Sequence, residues 1–102
     1  MQRDKLPEGL QPKGSSATFT RDTLPDALCN EHQLGKNRWG ALHILEGSVV
    51  FIDLANGEER DVVAPGVVII APESPHKLQL RDGAFSCRVD FFQDLAADST
   101  EK

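Results

Sequence analysis

Cysteine is scarce in this chain, with only Cys29 and Cys87, and the two form no C-x-x-C pair. A reducing compartment leaves both as thiols, and the plain reading of each is a buried, inert residue. No apolar run approaches the roughly 20 residues that span a bilayer, so no membrane partner is expected. Behind Met1-Gln2-Arg3-Asp4-Lys5 there is no apolar stretch, so the start does not read as a secretory signal and a cytoplasmic location follows as the default. Basic clusters are also missing: 11 Lys and Arg are scattered among 16 Asp and Glu, and the net charge of −5 argues against a nucleic-acid partner. There is no internal repeat. No G-x-S-x-G elbow, G-x-x-x-x-G-K-[ST] loop or G-x-G-x-x-G fingerprint occurs, and no segment of helical period is long enough to matter.

What is present is punctuation of a β type. With 102 residues, 39% of them hydrophobic, the chain suits one domain with a modest core. Residues 1–16 carry Pro7, Gly9, Pro12, Gly14, Ser15 and Ser16, and read as an extended arm. The main domain is expected over 17–95 and a flexible tail over 96–102. Ala17 to Thr20 reads as a short strand, and Asp22 to Leu28 as a turn or one helical turn. Strands are then predicted over Arg38–Leu45, Ser48–Leu54, Glu59–Val63, Val67–Ala71, His76–Leu80 and Ala84–Phe92. Asn56-Gly57 marks a tight hairpin. Val67 to Ala71 is apolar throughout, β-branched and bounded by Gly66 and Pro72, which suits a strand buried on both faces. Short strands at close spacing make the fold class all-β, a sandwich or small barrel.

His76 alternates with Leu78 and Leu80, opposite Lys77 and Gln79, so it sits on an apolar, interior face. Burial there disfavours imidazolium and keeps the ring neutral, able to accept a metal or a proton. The alternative is a core histidine bonded to a carbonyl. His32, in Asn30-Glu31-His32-Gln33-Leu34, has no second His in H-x-H spacing and taken alone suits the surface. His43 alternates with Trp39, Ala41 and Leu45 and faces outward if Leu42 and Ile44 face in, unless a bulge reverses it. In the last strand Phe85, Cys87, Val89 and Phe91 share one face, and Ser86, Arg88, Asp90 and Phe92 the other. Two orientations follow, one with a solvated Arg88–Asp90 pair and one with Asp90 inside near His76. A mononuclear metal needs three or four N or O ligands, and His32, His76 and Asp90 are one such set.

From Trp39-Gly40-Ala41-Leu42-His43-Ile44-Leu45-Glu46-Gly47-Ser48 the sequence resembles a known group. It is similar to small cupins that occur as stand-alone bacterial proteins and as the N-terminal domain of some tellurite-resistance methyltransferases. The segments matching in order are Leu6–Leu10, Phe19, Thr23–Leu28, His32, Trp39–Gly47, Pro72–His76 and Val89–Phe91. The resemblance implies a double-stranded β-helix barrel of cupin type with an N-terminal arm, a homodimer, and a metal site in the mouth. His76 matches the second-motif His of cupins, and His32 and Asp90 match polar positions of the smaller group. Gly40 stands about where general cupins carry a first-motif Glu. The expectation is a small metal-binding cupin holding a divalent Zn, Fe, Mn or Ni ion at His32, His76 and Asp90. It would bind or sense a small molecule or metal ion, in metal or oxyanion stress response. The alternatives are a metal-free dimeric binding module, or a metal-dependent enzyme such as a dioxygenase or isomerase. No methyltransferase domain is readable in the chain.

Overall fold

The computed structural model describes residues 6–95 and shows an all-β architecture. Its strands are β1 (Gln11–Ser15), β2 (Phe19–Thr20), β3 (Arg38–Glu46), β4 (Ser48–Asp53), β5 (Glu58–Val63), β6 (Gly66–Ile70), β7 (His76–Leu80) and β8 (Ser86–Gln93). A single 3-10 turn, Asp26–Cys29, lies between β2 and β3. The strands form two antiparallel sheets. One has five strands in the order β1-β8-β3-β6 with β2 also on β8, and the other has three in the order β5-β4-β7. No strand ladder joins the two sheets among the described residues, so the expected closed barrel is corrected to two packed sheets. The expected tail over 96–102, and the first residues of the arm, lie outside the described residues.

Strand β3 sets inside and outside for the larger sheet. It pairs with β8 on one side and β6 on the other, so its alternate residues must face opposite ways. Leu42 and Ile44 point between the sheets, where they join Val49, Phe51, Val62, Val68, Ile70, Leu78, Phe85, Cys87 and Val89 in one core. Trp39 and Ala41 point out, and with Ile69 they form a second cluster covered by Leu6, Leu10, Ala71 and Phe92. This covering explains why Val68, Ile69 and Ile70 are all buried, as their uninterrupted apolar run suggests, while Val67 beyond the cover is exposed. On the smaller sheet, Val50 and Ile52 face away from the core yet are buried. Their cross-strand neighbours are Asp61 and Gln79, and Glu59 and Lys77. The longer of these side chains can lay their apolar stems over the valine and isoleucine.

The turns follow the sequence. In the β4–β5 hairpin Gly57 has φ +77, and its N–H donates to the Asp53 carbonyl at 2.8 Å. Gly47 alone carries the chain from β3 in one sheet to β4 in the other. Its φ is +78, and a Cβ there would lie 2.0 Å from the Ala84 carbonyl oxygen. Gly47→Ala therefore meets two obstacles, a left-handed backbone and a backbone atom that cannot rotate away. A loss of at least about 2 kcal/mol is expected, read as a lower urea midpoint with an unchanged slope. A midpoint equal to the wild type contradicts this account of the crossing.

Candidate functional site

His76 is the first residue of β7 and lies opposite Asp53 of β4, while Leu78 lies opposite Phe51. Residues directly opposite in an antiparallel pair share a face. Phe51 and Leu78 belong to the core, so His76 and Asp53 also sit on the inner side. His76 is 3% exposed and its ring stacks on Phe51 with centroids 5.3 Å apart. His32 arrives from the segment before β3. Its backbone N–H donates to the His76 carbonyl at 3.0 Å, and the His76 N–H donates to the His32 carbonyl at 2.9 Å. That reciprocal bridge brings the rings to 4.2 Å between centroids, edge to face.

Each imidazole is also fixed from below. His76 Nδ1 is 2.8 Å from the Ser74 carbonyl oxygen, and His32 Nδ1 is 2.9 Å from that of Asn30. A carbonyl only accepts, so each Nδ1 is assigned the proton. A neutral ring then carries its lone pair on Nε2. Burial is the main force holding the His76 pKa below the ordinary histidine value, and the neighbouring His32 adds to it. The Ser74 carbonyl and the Asp53 carboxylate oppose the shift without reversing it. The two rings line a small pocket whose walls are Leu28, Leu42, Ile70, Leu78 and Val89, with about 20 Å³ of room. Burial also pushes the Cys87 thiol up to about 11 and raises Cys29, which keeps both protonated at neutral pH.

Asp90 is elsewhere. Its neighbour Val89 faces the core, so Asp90 faces out from the larger sheet. There it accepts from Ser15 Oγ at 2.6 Å and Arg88 Nε at 3.1 Å, and lies 3.0 Å from His43 Nε2. The Ser15 hydroxyl, then the Arg88 guanidinium, hold its carboxyl below the usual carboxylate range. These contacts tie β1 to β8 and β3, beside an open groove of about 410 Å³. The sequence-predicted set is thus split: His32 and His76 meet, and Asp90 joins His43 on the opposite face. Asp53 was missed by sequence reasoning. It is 4% exposed, and its carboxylate accepts the Ala55 N–H at 3.0 Å. The signal for it was an acidic residue two positions after Phe51 on an otherwise apolar strand.

A model of the TehB-like domain family matches residues 14–89. The chain belongs to the TehB-like domain family. A probable S-adenosyl-L-methionine-dependent methyltransferase, TehB of Haemophilus influenzae (strain 10810), is 26% identical over 81 residues, covering 72% of this chain and 28% of the relative. The crystal structure of TehB from Haemophilus influenzae overlays with a TM-score of 0.75 at 22% identity, over 85% of this chain and 32% of that one. A crystal structure of an E. coli (strain K12) protein overlays with a TM-score of 0.73 at 19% identity, over 86% and 94%. At those identities the two structures show a shared fold. The chain spans less than a third of the curated relative's length.

These findings uphold a relationship to tellurite-resistance methyltransferases, and they carry the TehB-like name rather than the cupin one. The metal-binding cupin, its divalent Zn, Fe, Mn or Ni cofactor and the metal-dependent enzyme are corrected. The family matched is the TehB-like domain, and the curated relative is the protein named as a probable methyltransferase. Among the described residues no three His, Cys, Asp or Glu side chains are grouped to hold a metal ion. The physical reason is parity: Asp90 is an odd number of residues from the inward-facing Val89 and Cys87, so it cannot share their side. Gly40, expected where a ligand Glu would stand, faces Leu34 instead, and a Cβ there would lie 3.1 Å from its Cδ1. No helix among the described residues is long and apolar enough to cross a membrane.

The two polar clusters give separable pH responses. A depressed His76 pKa means that the unfolded chain binds the proton first, so stability falls as pH drops below about 6.5 and keeps falling until the folded pKa is passed. Asp90 also has a depressed pKa, and its contribution is lost only as pH falls below about 3.8. His76→Asn keeps a donor for the Ser74 carbonyl and removes the titration. Urea melts of this variant between pH 7.5 and 5 should show a flatter pH slope than the wild type. Asp90→Asn should leave that window unchanged; an equal slope in wild type and His76→Asn refutes the assignment.

Proposed function

We propose that this chain is a ligand-holding β-domain that serves S-adenosylmethionine-dependent methyl transfer, with the methyl-transfer chemistry carried outside it. The observation behind this reading is a disproportion. The TehB-like match takes in residues 14–89, yet the chain corresponds to only 28% of a relative whose name is that of a methyltransferase. S-Adenosylmethionine itself does not fit between the two histidines. The His32–His76 pocket has about 20 Å³ of room, whereas ligands of that size occupy sites of roughly 300–1,000 Å³. The outer groove is larger, but both Asp90 oxygens on its wall are already engaged by Ser15, Arg88 and His43. The working site in this reading is therefore the pair His32 and His76 with their apolar walls.

The test removes from the H. influenzae relative the segment that matches this chain and assays methyl transfer with and without the chain added. Addition should raise the rate of the truncated enzyme by about tenfold or more, equivalent to about 1.4 kcal/mol of barrier. The chain alone should release no demethylated cofactor. Turnover by the chain alone, or no effect of adding it, overturns the proposal.

A further inference from the structure

The His32–His76 pocket differs from most histidine pairs in that both tautomers are fixed by the backbone. Each Nδ1–H is spent on a carbonyl two residues before it, Ser74 for His76 and Asn30 for His32. Neither Nε2 has a hydrogen-bond partner among the described residues, and no buried side-chain N or O there lacks one. Both Nε2 atoms therefore stay open to an incoming molecule. Both rings line one small space, and a neutral imidazole can only accept through Nε2.

The surroundings narrow the choice. The described lining of the pocket holds neither Lys nor Arg, and the Asp53 carboxylate lies behind His76 across the β4–β7 pair. Its negative charge reaches the His76 ring. An anion entering here would meet two acceptors, a nearby carboxylate and apolar walls, and would lose its hydration with nothing in return. The room of about 20 Å³ admits one water-sized polar group, and Leu28, Leu42 and Leu78 favour a methyl or methylene beside it.

We infer that the His32–His76 pocket binds a small uncharged hydroxy compound, whose single O–H proton is shared between the two Nε2 acceptors while its carbon packs on the leucines. An alcohol in place of a water gives up one donated hydrogen bond and gains apolar contact with the leucines. The inference rests on the reading of this pocket as the domain's working site. It does not depend on where methyl transfer takes place.

Methanol and formate are the matched probes, the first an uncharged donor and the second an anion of similar size. Each is titrated into the full chain at pH 7.5 with the imidazole ¹⁵N resonances as the readout. Methanol should move the Nε2 resonances of His32 and His76 together and saturably, and leave His43 on the outer face unmoved. Formate should produce no saturable shift. His32→Leu removes one of the two acceptors that share the O–H and should weaken the methanol response by up to about tenfold, on the order of one hydrogen bond. If that variant does not fold by thermal melting, the methanol and formate comparison in the wild type decides alone. Formate saturating at equal or lower concentration, movement of one ring only, or no saturable response to methanol overturns the inference. Failure here with successful restoration of methyl transfer removes the ligand class and keeps the domain's role; the reverse pattern does the opposite.

Discussion

The reciprocal backbone bridge between His32 and His76 is the constraint on which the site depends. The two sheets share no ladder among the described residues, so the space between them has to be closed by the segment that precedes β3. That segment has little regular structure of its own. It is held by the His32–His76 pair, by the Glu73 N–H donating to the Leu34 carbonyl at 3.0 Å, and by Leu24 and Leu28 packing on the core. Each backbone hydrogen bond contributes about 1 kcal/mol net, a modest sum that is amplified by what it arranges. Without the bridge His32 would leave, His76 would meet water, and the burial that keeps its ring neutral would disappear. Fold closure and site chemistry are therefore one event.

Parity along β3 and β8 then distributes the polar groups. Once β3 is paired on both sides, Leu42 and Ile44 must face in, and His43 between them must face out. Strand β8 is registered to β3 with Ala41 opposite Asp90 and Leu42 opposite Val89. Asp90 is thereby committed to the face of Ala41 and His43. Its three partners come from β1, β3 and β8, so the carboxylate works as a clasp for the edge strand, far from the pocket in role as well as in orientation. A one-residue slip of β8 would place Asp90 inside but would also expel the fully buried Cys87 and the buried Val89, and this cost fixes the register.

The strands from Arg38 onward were legible because Gly, Pro and Asn-Gly interrupt short β-branched runs, and each interruption is a turn in the structure. The interior position of His76 was legible from its alternation with Leu78 and Leu80. The orientation of the last strand was not, because both of its faces carry apolar residues and only pairing with β3 decides between them. Strand β1 was read only as an extended arm, since all five of its residues are exposed and no alternation marks them. The meeting of His32 with His76 spans a large separation along the chain and rests on backbone atoms, which carry no side-chain signature. The resemblance to a known group named His32, His76 and Asp90 together; the structure joins the backbones of the two histidines and turns Asp90 to the outer face, since matching positions transfer residue types without their orientation.

Gly40 shows how the size of the pocket is set. In a strand interior a glycine normally weakens packing, yet here its missing side chain is where Leu34 lies, with Val89 and Ile70 next to it. The covering segment can approach the sheet because nothing projects from Gly40. A carboxylate at this position would push Leu34 away, break the path of the segment past the Glu73 N–H, and open the mouth around His32 and His76. The chain has the opposite arrangement: a narrow space lined by the two histidines and apolar side chains. The absence of a side chain at residue 40 therefore acts through packing. It limits what can enter to a group the size of a hydroxyl, and it does so from the inner face of β3, in the sheet across from His76.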